Sequence, residues 1–254
     1  ENTASCDTNE IESNNSSPLA AYVALDSLAC GVIDPAGDED WYELDVPAWT
    51  ELWLDIDADI IGSPVDSTLA LYDGSLNELA YNNNFDYATS TDSSIYMLLP
   101  DAGTYYVRVE DWDAASGGTT HEYELWVFGF EVCDVEELEP NDEYGLADFF
   151  TVGQSTCGVI DSWSDDDWFE FTVADDTFVD FDIDAYGFGT GLEAQLTLFD
   201  TDGVTELYKD EPSGTADPFF TWYFADAGTY YIEVESDLVI LNDSGAYLLE
   251  TTAW

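Results

Sequence analysis

Positive charge is what this sequence most lacks. Arg108 and Lys209 are its only strong cations in 254 residues, against 57 Asp and Glu, and the formal net charge is −55. A surface of that sign repels nucleic-acid phosphates and anionic lipid headgroups, which excludes both as partners. Histidine occurs once, at His121, and this removes most imidazole-dependent catalysis and His-rich metal sites. No stretch approaches the ~18 consecutive apolar residues of a membrane-spanning helix, so membrane insertion is not expected. A glycine-rich phosphate loop is missing as well.

The apolar residues are plentiful. Hydrophobic types make up 46% of the chain, with 9 Trp, 16 Tyr and 14 Phe. Acidic chains that stay disordered are short of such residues, so this is a folded acidic protein, of a length that suits one or two domains. The sequence starts at Glu1 rather than Met, and its 4 cysteines are even in number. Both features lead us to expect a secreted, extracellular protein with its signal peptide already removed.

An internal repeat organises everything else. Cys30-Gly-Val-Ile-Asp34 returns as Cys157-Gly-Val-Ile-Asp161, an offset of about 127 residues. Asp38-Glu-Asp-Trp-Tyr42 returns as Asp165-Asp-Asp-Trp-Phe169, and Leu54-Asp-Ile-Asp-Ala58 as Phe181-Asp-Ile-Asp-Ala185. Asp101-Ala-Gly-Thr-Tyr-Tyr106 matches Asp226-Ala-Gly-Thr-Tyr-Tyr231 after a short deletion. Two modules are expected, at 1–129 and 130–254. Cys6 and Cys133 keep the same phase as Cys30 and Cys157, so the simplest pairing is Cys6 with Cys30 and Cys133 with Cys157. Pairing between chains is the alternative. One closed loop of this size contributes roughly 3 kcal/mol in the chain-entropy model.

Within each copy the period is that of strands. Leu52, Leu54 and Ile56 alternate with Trp53, Asp55 and Asp57, and Val179, Phe181 and Ile183 alternate with Asp180, Asp182 and Asp184. Turn chemistry such as Asp101-Ala-Gly103 and Asp200-Thr-Asp-Gly203 divides the runs. An all-β sandwich follows, with one helical turn expected per copy, near Leu19–Leu25 and Gly145–Phe150. The Asp residues of the alternating strands are expected to face solvent.

The acidic residues are not spread evenly. After the first cysteine of the second copy comes Glu137-Leu-Glu139-Pro-Asn141-Asp142, and of the first, Glu10-Ile-Glu12-Ser-Asn14-Asn15. A second acidic knot follows, Asp38 with Asp40 and Asp165 to Asp167, just before an aromatic strand. Alternate residues of an extended arm project to one side, so these carboxylates would converge and repel one another unless a cation stood between them. Several hard oxygens suit Ca2+ far better than Zn2+, while Mg2+ keeps its waters.

The order Glu-x-Glu-Pro-Asn-Asp, then Asp-x-Asp-Trp-Phe/Tyr, then Leu-x-Leu-Phe/Tyr-Asp, then Ala-Gly-Thr-Tyr-Tyr resembles the bacterial pre-peptidase C-terminal domain, a family that includes the collagen-binding domains of clostridial collagenases. The resemblance covers nearly the whole chain, twice. It implies two tandem jelly-roll-like β-sandwich modules, each with about one structural Ca2+ between the N-terminal arm and the Asp-x-Asp turn. Carried over residue by residue, it names Glu137, Glu139, Asn141, Asp142, Asp165 and Asp167, and in the first copy Glu10, Glu12, Asn14, Asp38 and Asp40. There Ser13 replaces the proline and Asn15 the aspartate, so a weaker first site is expected.

No catalytic constellation stands out. Paired carboxylates are everywhere, and His121, which follows a glycine-rich hairpin loop and has no counterpart in the second copy, is expected to be a solvent-exposed loop residue. Asn14, Asn15 and Asn242 open Asn-x-Ser sequons, candidate glycosylation sites in a host with that machinery. The expectation is a non-enzymatic structural subunit that self-assembles head to tail into an extracellular filament or surface layer. Trp53, Phe128, Phe130 and Trp254 are its candidate contacts: Trp254 aligns with Phe130, and a heterologous contact of that kind does not close on itself. The alternative is a targeting module for an extracellular polymer (collagen, another protein or a glycan), released from a larger secreted enzyme. Such a module should carry an exposed aromatic face in each copy, and the correspondence of Trp53 with Asp180 argues mildly against one.

Overall fold

The computed structural model describes residues 5–84, 90–162, 164–185, 192–211, 217–236 and 245–254. Trp163 and the sequon at Asn242 lie outside the described residues. Contacts divide the chain into Glu1–Glu131 and Val132–Trp254.

The first module is built from β1 (Thr8–Asn9), β2 (Ala21–Tyr22), β3 (Ser27–Val32), β4 (Glu39–Val46), β5 (Thr50–Asp57), β6 (Ser67–Tyr72), β7 (Glu78–Asn82), β8 (Ser94–Leu99), β9 (Gly103–Asp111) and β10 (Glu122–Glu131). They form two sheets, ordered β1-β3-β10-β5-β8 and β2-β4-β9-β6-β7. Only the two-residue strands β1 and β2 pair in parallel, against β3 and β4; the other pairings are antiparallel.

The second module repeats this strand for strand. Its strands are β11 (Val135–Glu136), β12 (Asp148–Phe149), β13 (Thr156–Ile160), β14 (Asp167–Val173), β15 (Thr177–Asp184), β16 (Ala194–Phe199), β17 (Glu206–Asp210), β18 (Phe219–Phe224), β19 (Gly228–Ser236) and β20 (Gly245–Ala253). The sheets run β11-β13-β20-β15-β18 and β12-β14-β19-β16-β17. The chain is therefore all-β, in two similar sandwiches, as the alternating pattern requires.

Each core lies between its two sheets. Leu52, Leu54 and Ile56 of β5 meet Tyr42, Leu44, Val107 and Val109 from the opposite sheet. In the second module Phe181, Phe169, Phe171 and Phe224 fill the corresponding space with aromatic rings. Burying one such side chain contributes about 1.5–3 kcal/mol. Trp49 is buried too. Both intramolecular disulfides form, Cys6–Cys30 and Cys133–Cys157, each with Cα atoms 5.8 Å apart. They tie each N-terminal arm to β3 or β13.

Two local expectations are corrected. The helical turns near Leu19–Leu25 and Gly145–Phe150 are not helices. A short 3-10 turn at Ser17–Leu19 leads into β2, and β12 occupies Asp148–Phe149. The backbone there is captured by the neighbouring strand: Val23 N–H donates to Glu43 O and Phe150 N–H to Glu170 O. His121 is half-buried rather than open to solvent, with Nε2 2.9 Å from Ser116 Oγ.

Candidate metal centres

Pairing of the arm with β3 sets the first glutamate. Glu10 N–H donates to Cys30 O at 3.0 Å, and Glu10 Oε1 accepts from Val32 N–H at 2.7 Å. This turns Glu10 Oε2 inward, where it is buried without a hydrogen-bond partner. Asp40 enters from the start of β4. Its Oδ2 accepts from the buried Tyr123 hydroxyl at 2.7 Å, and its Oδ1 has no partner. Asn14 lies between them: its carbonyl accepts from Trp41 N–H, while its fully buried carboxamide finds no partner at either atom.

The second module reproduces the arrangement atom for atom. Glu137 N–H donates to Cys157 O at 3.0 Å and Glu137 Oε1 accepts from Val159 N–H at 2.6 Å. Tyr247 donates to Asp167 Oδ2 at 2.6 Å. Glu137 Oε2, Asp167 Oδ1 and both polar side-chain atoms of the buried Asn141 are again without partners. Carboxylate oxygens of Glu10, Glu12 and Asp40 lie within 4.8 Å of one another, as do those of Glu137, Glu139 and Asp167.

The electrostatics follow from this crowding. Burial, and then the neighbouring Asp40, push the Glu10 carboxyl far above the ordinary range, and burial raises Asp40. Burial and then Glu137 do the same to Asp167, and burial raises Glu137. Glu12 and Glu139 are raised by burial and then by Asp38 and Asp165 respectively. Without a cation, protons must occupy part of each cluster.

The modules differ at one edge. In the first, Asn15 Nδ2 donates to Asp38 Oδ1, and Asp38 stands outside the Glu10, Glu12 and Asp40 group. In the second, Asp142 replaces that donor and joins Glu139 and Asp165 in a further cluster within 4.8 Å. Of the sequon residues, Asn14 is buried in the cluster, which leaves no space for a glycan on the folded chain, and Asn15 is exposed.

Sequence reasoning missed the support behind the converging carboxylates. A Cβ on Gly31 would fall well inside contact distance of the Tyr123 hydroxyl and Glu10 Oε2; one on Gly158 would meet the Tyr247 hydroxyl and Glu137 Oε2. The glycine of each Cys-Gly-Val-Ile motif lets a tyrosine lie across the backbone and reach the aspartate. Tyr123 and Tyr247 recur within the repeat, which is the signal that could have found them.

Residues 38–111 match the family model described as the bacterial pre-peptidase C-terminal domain. The chain is 27% identical over 188 residues to a protein of Deinococcus radiodurans described as a probable subtilase-type serine protease. That match takes in 63% of this chain and 26% of the relative, so the chain spans about a quarter of its length. Similar solved structures include the pre-peptidase C-terminal domain of a collagenase from Bacillus anthracis, at 19% identity and a TM-score of 0.34, covering 42% of this chain and 94% of that one. Another is a periplasmic inhibitor of g-type lysozyme from Aeromonas hydrophila, at 11% identity and a TM-score of 0.29, covering 42% and 99%.

Proposed function

We propose that this chain, whose first module carries a bacterial pre-peptidase C-terminal domain and whose second module repeats it, is a secreted, non-catalytic pair of Ca2+-loaded sandwiches that holds an associated catalytic unit on an extracellular polymer. One observation carries the metal: the same buried oxygens lack hydrogen-bond partners in both modules, Glu10 Oε2, Asp40 Oδ1 and Asn14 Oδ1, then Glu137 Oε2, Asp167 Oδ1 and Asn141 Oδ1. Burying such groups unpaired costs free energy. A cation among them offsets that cost at both places.

Glu10, Glu12, Asn14 and Asp40, bordered by Asp38, would hold the first ion. Glu137, Glu139, Asn141, Asp165 and Asp167, with Asp142, would hold the second. An all-oxygen donor set favours Ca2+. When bound, the ion neutralises the carboxylates and clamps the arm to the strand. The residues themselves do the orienting: β3 and β13 aim the glutamates, and the two tyrosines aim the aspartates.

The extracellular setting is supported by the two disulfides, and no helix among the described residues is long and apolar enough to cross a membrane. The accessory role is supported by the match to a quarter of a protease. Two modules also offer avidity for a repetitive protein or glycan. All four cysteines are in disulfides and are not free for nucleophilic work.

The test is titration calorimetry and thermal melting of the intact chain with Ca2+ and with chelator, beside retention on insoluble collagen and polysaccharides. Ca2+ binding that raises the melting temperature and is lost in the paired Glu10→Gln and Glu137→Gln variant is expected. Identical melting with Ca2+ and chelator would overturn the metal; passage through every polymer would overturn the tether.

Head-to-tail self-assembly is a second reading, favoured by one observation. Phe130, which registers with Glu51, and Trp254, which follows the Val179–Ala253 pair, occupy equivalent positions, and both are exposed. Electron microscopy with and without Ca2+ tests it: filaments support it, and isolated particles in both conditions overturn it.

A further inference from the structure

In each module the outer face of one sheet carries a row of aromatic rings across the same three strands. In the first, Tyr96 of β8, Trp53 of β5 and Phe128 of β10 stand side by side in register. The Trp53 and Phe128 centroids are 5.4 Å apart, and Trp126 stacks on Phe128 at 5.8 Å. In the second, Tyr223 of β18 registers with Phe178 of β15, and Phe178 exchanges both backbone hydrogen bonds with Trp254, which follows β20. Phe178 lies 4.8 Å from each of the two rings.

The rows are displaced by one step. Phe178 corresponds to Glu51, two residues from Trp53 on the same face of the strand, so a position-by-position comparison that matches Trp53 to Asp180 misses the second row. Five of the six rings remain open to solvent, Tyr96 51% exposed, Trp53 42%, Tyr223 45%, Phe178 37% and Trp254 68%, while Phe128 is half-buried.

Carboxylates edge both rows and hold ring edges rather than ring faces. Trp126 Nε1–H donates to Asp57 Oδ2 at 3.1 Å and Trp254 Nε1–H to Asp180 Oδ2 at 3.2 Å. The Tyr223 hydroxyl donates to Asp176 Oδ1 at 2.5 Å. Glu51 flanks Trp53 along β5. Neither of the chain's two strong cations serves these faces. Arg108 lies in β9 and Lys209 in β17, both in the other sheet of their modules, paired with Glu110 and with Glu211 and Glu235.

The chain itself shows what such a surface accepts. In the other sheet of the first module the Arg108 guanidinium sits 5.7 Å from the Trp41 ring centroid and 5.6 Å from that of Tyr72, with Glu110 at 2.9 Å. The outer rows present the same two components, ring faces and carboxylates, without the cation. Cation–π attraction and ion pairing would act together there, and a field of −55 would steer a basic partner toward them.

We propose that the two aromatic rows, Tyr96–Trp53–Phe128 and Tyr223–Phe178–Trp254, are docking faces for arginine-bearing segments of a basic extracellular polypeptide. This rests on the polymer-binding reading and names the partner class. Arginine is favoured over lysine because its planar guanidinium stacks on a ring while its edge pairs with a carboxylate. One row in each module makes the binding bivalent.

The experiment titrates the intact Ca2+-loaded chain with three fluorescent peptides of equal length, Gly/Arg, Gly/Lys and Gly/Gln, and with a neutral glucan oligosaccharide. The variants are Trp53→Ala with Phe178→Ala, Trp254→Ala as a second and highly exposed row position, and Trp112→Ala as an exposed aromatic outside the rows. Circular dichroism and Ca2+-dependent melting confirm that each folds. Gly/Arg should bind more tightly than Gly/Lys, and the paired row variant should lose about tenfold for Gly/Arg while Trp112→Ala leaves it unchanged. Three outcomes would overturn the proposal: equal affinity for both basic peptides with no effect of the row variants, loss of glucan rather than peptide binding in those variants, or self-association through the rows that Gly/Arg does not compete away. A chain retained on polymer while its row variants still bind Gly/Arg normally defeats this proposal alone; failure of retention on every polymer defeats the tether reading beneath it.

Discussion

The Tyr247 hydroxyl donates to Asp167 Oδ2 at 2.6 Å, across 80 residues of sequence and between the two sheets of the second module. The bond fixes the carboxylate so that Oδ1 remains free toward Glu137. Such support behind a metal ligand typically governs affinity by ~10–100-fold. Tyr247→Phe keeps the ring and removes only the donor, so it should weaken Ca2+ binding to the second module by that factor and, because Asp167 Oδ2 is then buried without a partner, lower the melting temperature in chelator. Titration calorimetry checks the first and scanning calorimetry the second. In the first module Tyr123 also shares a 2.7 Å hydroxyl contact with Tyr42, where the second has Phe169. Tyr123→Phe should therefore cost more fold stability than Tyr247→Phe, as well as affinity.

The glycines of the Cys-Gly-Val-Ile motifs make a separate prediction. Gly158→Ala would push the Tyr247 hydroxyl and Glu137 Oε2 together away from the backbone. Overpacking of this kind costs about 1–3 kcal/mol, and here it also displaces a proposed ligand. The melting temperature should fall in chelator, and Ca2+ should restore less of it than in the wild type. Gly145→Ala, where an added Cβ meets nothing, should do neither.

The main outlines were legible in the sequence because they depend on short periods and on a repeat. Alternation placed Leu52, Leu54 and Ile56 inward, and equal cysteine spacing pointed to the two disulfides. The helical turns failed because β2 and β12 are two residues long, too short for a period to register, and their backbones are satisfied by strands some twenty residues away. The tyrosines were missed for a related reason: their partners are 83 and 80 residues distant, and only their recurrence within the repeat marks them. The aromatic rows escaped because the duplicated face moved one step along its strands, and alignment by position compares unlike residues.

The modules should differ in affinity, and one position should account for much of the difference. Asn15 donates to Asp38, whereas Asp142 adds a carboxylate beside Glu139 and Asp165. Asn15→Asp should raise Ca2+ affinity at the first site and lower stability in chelator, since it exchanges a hydrogen bond for repulsion. Asp142→Asn should do the reverse at the second site. Terbium luminescence titrations of each variant resolve the two sites, and unchanged affinities would place the difference elsewhere.

Glu233 gives the sharpest pH dependence away from the proposed ligands. It registers with Trp168 as Arg108 does with Trp41, so a carboxylate stands where the first module has a guanidinium. Burial, then Glu235 and Asp166, push it up to about 7 from 4.5, only partly eased by Lys209 and the Trp168 indole. The sign follows from proton counting. Between about 4.5 and about 7 the folded chain holds a proton that the unfolded chain has lost, so stability falls as pH rises through that window and stays low above it. Glu233→Gln removes the ionisation. It should leave melting near pH 4 almost unchanged and raise stability near pH 8 by about 1 kcal/mol, a figure discounted for the partial exposure of this side chain. Melting in chelator across pH checks this without interference from Ca2+. A variant that melts lower than the wild type near pH 8 would mean that the ionised carboxylate is stabilising, and would reverse the sign assigned to Glu233.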